Sequence, residues 1–95
     1  MKPAARRQRL DKWLWHARFY RTRSQAADMC RDGRVRLNGE RVDKSSTLVG
    51  PGDVLTLPQG SRIRVVRIAA LTDRRGAAAA ARLLYDDLGA PLSED

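Results

Sequence analysis

Arg23, Arg31 and Arg34 lie eight and three residues apart. On a helix, that spacing puts Arg23 and Arg31 on one stripe opposite Ala26 and Cys30, and Arg34 extends the stripe past Gly33. Arg9, Lys12 and His16, spaced three and four apart, predict a second basic face on a preceding helix. Arg18 and Arg21 fall between the two. Such a set is suited to holding phosphate, because a guanidinium offers a planar fork of donors to an oxyanion. The charge distribution agrees. Residues 1–36 carry eleven Lys/Arg against three Asp, whereas 37–95 carry eight basic and eight acidic residues, so the whole surplus of +8 sits in the first third. A surplus concentrated on patterned sequence builds a positive surface, the footprint of a polyanion site. Aromatic residues interleave it. Trp13 falls on the apolar stripe and is expected in the core. Trp15 falls off it, placed either to stack on a base or to pack beneath the basic arm; Phe19 and Tyr20 add aromatic surface nearby.

Other chemistries have little to stand on. His16 is the sole histidine and reads as a surface or half-buried helical residue near the phosphate path rather than a general base. Cys30 is the sole cysteine, placed on an apolar face with no base near it in sequence, so it reads as a small hydrophobe. Asp86-Asp87 reads as a solvent-facing pair beside a helix terminus. Gly50-Pro51-Gly52 precedes a strand, the wrong context for a phosphate-cradling loop. No metal ligand set and no cofactor is expected. A single cysteine points to a reducing compartment, and with no apolar run long enough to cross a membrane the expected location is the cytoplasm.

The elements that must position the arginines are legible in outline. Leu10, Trp13, Leu14 and Ala17 predict an amphipathic helix over 11–18, with Asp11 at its start as a cap and dipole partner. Thr22-Arg23-Ser24-Gln25 is a capping-box pattern opening a second helix over 23–32, ended by Gly33 with positive φ. Asn38-Gly39 marks a two-residue hairpin turn. Gly50-Pro51-Gly52-Asp53 turns into a strand from Val54 to Leu57, and Pro58-Gln59-Gly60-Ser61 breaks it. Ile63 and Val65, then Val66 and Ile68 in the opposite phase, predict a strand with a bulge. Ala77, Ala81, Leu84 and Leu88 predict a helix over 74–88. The expected order is α-α-β-β-β-β-α: an α+β class in which a two-helix unit packs on a small, mostly antiparallel sheet, followed by a C-terminal helix. The division is a flexible basic arm over 1–8, an RNA-binding domain over 9–72, and an Ala-rich helix with a frayed end over 73–95.

Taken together, Arg9-Leu10-Asp11-Lys12-Trp13-Leu14, Ala17-Arg18, Thr22-Arg23-Ser24-Gln25-Ala26, Gly33-Arg34-Val35, Asn38-Gly39 and Gly52-Asp53-Val54-Leu55 resemble the S4 RNA-binding domain, over about half the chain. Trp13 and Trp15, the run from Ala17 to Arg23, Arg74-Arg75, the alanine run and Leu84-Tyr85 are similar to its bacterial fifteen-kilodalton heat-shock protein subfamily. The resemblance implies an αL-like motif with RNA along the helix pair and the hairpin edge. It implies RNA contacts at Arg9, Lys12, Arg18, Arg21, Arg23, Ser24, Gln25 and Arg34; the charge pattern adds Arg31 and Arg36. It also implies a non-enzymatic role on the free large ribosomal subunit that still holds a nascent chain on transfer RNA. Ribosomal RNA is then the expected partner, transfer RNA a further target and DNA a non-specific one, with no membrane and a monomeric chain. One departure is that the subfamily commonly carries a long basic C-terminal tail where this chain ends in acidic Leu92-Ser93-Glu94-Asp95. Two other readings are an accessory domain or fragment of an RNA-modifying enzyme or transfer-RNA synthetase, and a protein-interaction module built on the Ala-rich helix.

Overall fold

A computed structural model describes residues 6–89. Residues 1–5 of the expected flexible arm and the expected frayed end at 91–95 lie outside the described residues; at the end of the arm, Gln8 is instead buried in a strand paired with Val49, its side chain donating to the Thr72 carbonyl at 2.7 Å. The class is α+β, as expected, with a two-helix unit against an antiparallel sheet. Helix α1 (Leu10–His16) and helix α2 (Arg23–Arg31) follow a two-residue strand β1 (Gln8–Arg9). Strands β2 (Arg36–Leu37), β3 (Glu40–Arg41), β4 (Leu48–Val49), β5 (Val54–Gln59) and β6 (Arg62–Ile68) come next. One turn of helix, α3 (Ala78–Ala81), continues as a 3-10 turn over Arg82–Leu84 into strand β7 (Tyr85–Gly89). The five-stranded sheet has the order β3-β2-β5-β6-β7, and β1 pairs separately with β4.

Both helices end the same way. The N–H of Arg34 donates to the Met29 carbonyl at 3.1 Å, and that of Phe19 to the Leu14 carbonyl at 3.1 Å. Each closure needs one residue in the left-handed region. In α2 it is Gly33, φ +74°, as expected; in α1 it is Arg18, φ +65°, an arginine where glycine is the easier occupant. Thr22 caps α2 by accepting the Gln25 N–H at 3.0 Å, but the Gln25 side chain accepts from the Arg21 N–H rather than from Thr22. The hairpin turn at Asn38-Gly39 has positive φ at both residues and sets Arg36 opposite Arg41. The expected phase slip is a register shift between Val65 and Val66 where β6 meets β7.

The core fills the space between helix pair and sheet. Leu10, Trp13, Leu14, Ala26 and Cys30 from the helices meet Val35, Leu55, Leu57, Val66 and Ile68 from the sheet. Trp13 is its centre, fully buried, with Nε1–H donating to the Ala70 carbonyl at 3.0 Å. Its ring lies 6.0 Å from that of Phe19 and 6.5 Å from that of Tyr85.

Three expectations about elements need correction. The C-terminal helix does not run to residue 88: it stops after one α-turn and one 3-10 turn, and its second half is strand β7. The reason is tertiary. The far edge of β6 needs a backbone partner, and Tyr85 packs its ring 4.8 Å from Phe19, so the fourfold spacing of leucines is overridden. Leu88 is accordingly exposed rather than on an apolar helix face. Pro58 and Gln59 belong to β5, and the break comes at Gly60-Ser61. Strands β1 and β4, two residues each, were not anticipated, since pairs so short carry no periodicity.

Candidate nucleic-acid interface

The arginines fall into three groups, each organised by a different device. The first is centred on Asp11. Arg9 forks onto it, Nε to Oδ1 at 3.1 Å and Nη2 to Oδ2 at 2.9 Å, while Arg23 from α2 approaches Oδ1 at 3.7 Å. The carboxylate is almost wholly buried, but the two arginine side chains stay nearly half exposed. One acid thus fixes a cation from each side of the helix pair. Hydrogen bonding to Asp11 raises the pKa of Arg9. The expected capping role of Asp11 is not observed, since no side chain caps α1. Removing the acid sets two effects against each other. A nearby phosphate would gain about 1 kcal/mol per released unit of charge in water. Two loosened arginines would each lose about 0.5–1.5 kcal/mol on being ordered by a ligand. Ordering wins if both arginines contact the ligand, so Asp11→Asn is expected to weaken RNA binding about fivefold although net positive charge rises. Tighter binding by this variant in a titration at fixed salt would show that Asp11 does not organise the site.

The second group lines a groove at the end of α1, where Arg18, Arg21 and Arg75 border one depression. Arg18 Nε donates to the Gly76 carbonyl at 2.8 Å. Arg75 was not anticipated here. It lies over the Trp15 ring, 5.5 Å from the centroid, and donates to the Trp15 carbonyl at 3.0 Å. Trp15 is therefore half-buried under Arg75, from the far end of the chain, rather than beneath the basic arm.

The third group is at the hairpin. Arg36 and Arg41 are direct cross-strand partners and so share a face. Like charges placed opposite each other destabilise a sheet, which makes the pair a candidate for binding an anion. The Arg41 side chain also runs past Gly33. Arg41 was missed, although the two-residue turn at Asn38-Gly39 places it opposite Arg36 from sequence alone.

The remaining candidates are more dispersed. Arg31 is exposed and tied to Asp28 on its own helix. Ser24 is exposed beside Arg23, and the Gln25 side chain is occupied with the Arg21 N–H. Lys12 is half-buried and has no ion-pair partner among the described residues. His16 does not join Lys12 and Arg9 on a surface face, because it is 1% exposed. Its burial, and then Lys12, lower its pKa, so it is neutral at physiological pH. Phe19 and Tyr20 are core residues rather than stacking surface. The Tyr20 hydroxyl donates to the Pro58 carbonyl and its pKa is raised by burial. Cys30 is likewise inert, its thiol pushed up to about 12 by burial. Asp86 and Asp87 lie exposed on β7; Asp87 accepts from the Gly89 N–H, which holds its pKa low, and pairs with Arg64 at 3.0 Å. Among the described residues no group of three or more His, Cys, Asp or Glu could hold a metal, and no helix is long and apolar enough to cross a membrane.

The S4 domain family model matches residues 8–55, the stretch that carries α1, α2 and the hairpin. Heat shock protein 15 of Escherichia coli (strain K12) is 48% identical over 79 residues, which are 83% of this chain and 59% of that protein. The chain therefore spans about three fifths of the length of that relative. The RQC P-site tRNA stabilizing factor of Bacillus subtilis (strain 168) is 37% identical over 65 residues, covering 68% of this chain and 74% of that one. A trimeric structure of Vibrio cholerae heat shock protein 15 superposes with a TM-score of 0.82 at 44% identity, covering 86% of this chain and 82% of the other. A shared fold, a matched helix pair and identity at this level leave one assignment: the chain belongs to the S4 domain family and, within it, to the heat shock protein 15 group.

Proposed function

We propose that this chain is a non-enzymatic RNA-binding protein. In this reading it contacts ribosomal RNA on a free large ribosomal subunit that carries a nascent chain on transfer RNA, and it helps recycle such stalled subunits. The observation that carries the RNA part is the Asp11 clamp, which holds Arg9 and Arg23 from two elements against one buried carboxylate. Arg36 opposite Arg41 supports it. The contacts we assign are Arg9, Lys12, Arg18, Arg21, Arg23, Ser24, Gln25, Arg31, Arg34 and Arg36, with Arg41 added. Arginines fix the orientation on phosphates, and RNA shape rather than base sequence selects the target. The subunit part rests on the likeness to heat shock protein 15 and to a factor named for P-site tRNA. In this reading the binding unit is a single protomer; the trimeric Vibrio relative makes the sedimentation coefficient of the free protein the companion measurement.

The test is co-sedimentation with ribosomal subunits at moderate salt, wild type against the double variant Arg18→Gly/Arg23→Ala. Glycine suits the left-handed backbone at position 18, so the variant removes charge without straining the turn. Two charge-assisted contacts at about 1.5 kcal/mol each predict a loss of at least about a hundredfold. If about six phosphates are neutralised, log K should fall against log salt with a slope of about −4, at ~0.7 per phosphate. A slope near zero would remove the phosphate contacts. Failure to migrate with the large subunit, with tight binding to small structured RNAs, would keep the surface and move the target.

A further inference from the structure

A cleft opens between the end of α1 and the segment 72–84. His16 forms part of its lining, Ala77, Ala80 and Leu84 give it an apolar wall, and Arg74 and Arg75 border it. The interface as described does not use it. His16 is 1% exposed and lies against the Thr72 backbone, while its Nδ1 has no hydrogen-bond partner. A buried polar atom left unpaired is costly and calls for a partner. Arg75 is committed to Trp15, whereas Arg74 is exposed and forms no ion pair among the described residues. Arg75 also borders the groove of Arg18 and Arg21, so cleft and interface are contiguous. Arg18 pins the far wall through the Gly76 carbonyl.

We propose that this cleft takes a single unpaired nucleotide, its base between the alanine wall and His16 and its phosphate on Arg74. The proposal rests on the RNA reading above and adds a second kind of contact to it. The ligand class follows from the lining. A base has apolar faces for the methyl groups and a polar edge for the imidazole, whose buried Nδ1 it would reach as the ring turns into the cleft, and its phosphate matches the exposed Arg74. Inorganic phosphate would leave the apolar wall unused. A purely apolar molecule would leave the imidazole and Arg74 unused.

His16 is the only histidine, so its ring resonances are unambiguous in imidazole NMR spectra of the whole chain. The chain is titrated with adenosine and uridine 5′-monophosphates, and with inorganic phosphate at matched ionic strength. The expected result is a saturable shift of the His16 ring with a mononucleotide and none with phosphate. Ala80→Glu, at an exposed position, should abolish the shift, and Arg74→Ala should weaken the nucleotide about tenfold, as one charge-assisted contact predicts. Both variants should keep binding structured RNA through Arg9 and Arg23. An equal response to phosphate, or no response to nucleotides, overturns the proposal. A nucleotide shift in a chain that binds no RNA supports the cleft and removes the RNA reading; RNA binding without a nucleotide shift does the reverse.

Discussion

Trp13→Ala is expected to cost about 3–5 kcal/mol and to leave much of the chain unfolded at physiological temperature. The indole is fully buried, lies between Phe19 and Tyr85, and satisfies the Ala70 carbonyl. Alanine removes the transfer energy of the ring, leaves a cavity, and strips an acceptor of its donor. A small domain has about 5–15 kcal/mol in total, so a loss of this size consumes a large part of it. Trp13→Phe keeps a ring and should cost about 1–2 kcal/mol, the hydrogen bond and some volume. Urea unfolding measures both. Cys30 gives an independent reading, because a fully buried thiol with a pKa of about 12 reacts with a thiol reagent only when the core opens. An unchanged urea midpoint and labelling rate in Trp13→Ala would mean that the indole is not the centre of the core.

Gly33→Val is expected to cost at least about 2 kcal/mol. At φ +74° an L-residue pays roughly 1–2 kcal/mol, and a β-branched side chain pays more. A Cβ there would also lie 2.9 Å from the Arg41 side chain, which must move aside. The variant therefore combines two defects, a strained helix end and a displaced arginine at the hairpin. Gly33→Asn separates them, since asparagine tolerates the left-handed region while still crowding Arg41. Its stability should fall less than that of the valine variant, while RNA affinity falls in both. Equal stability of valine and glycine chains in thermal unfolding would mean that the end of α2 does not need this backbone conformation.

What the sequence disclosed, and what it hid, follows from the range of the forces involved. The helix pair was legible because Leu10, Trp13, Leu14 and Ala17 keep helical spacing, and because Thr22, Gly33 and Asn38-Gly39 act within a few residues of themselves. The bulge in β6 was legible as a phase slip. Strand β7 was not, because its state is decided by Tyr85 meeting Phe19, sixty-six residues earlier, rather than by its own leucines. Charge counting found the segment that bears the arginines but not their grouping. Asp11 read locally as a helix-start acid; its partnership with Arg23 spans twelve residues and needs the two helices docked. His16 was misplaced because burial on α1 comes from the 72–84 segment, which no helical periodicity reports.

The way Trp13 is completed has a kinetic consequence. An isolated pair of short helices can form in microseconds, since its contacts are close along the chain. Here the first helix is anchored by Thr47 accepting the Leu10 N–H, by Ala70 accepting from Trp13, and by the ring of Tyr85. Each of those contacts closes a long loop, so folding should run on the slower millisecond-to-second scale of chains dominated by distant pairings. During synthesis the basic segment emerges before residues 70–85, so its helix pair should stay incompletely packed until Ala70 and Tyr85 have arrived. The arginine-bearing helices are thus completed by residues of the 37–95 part, which together carry no net charge.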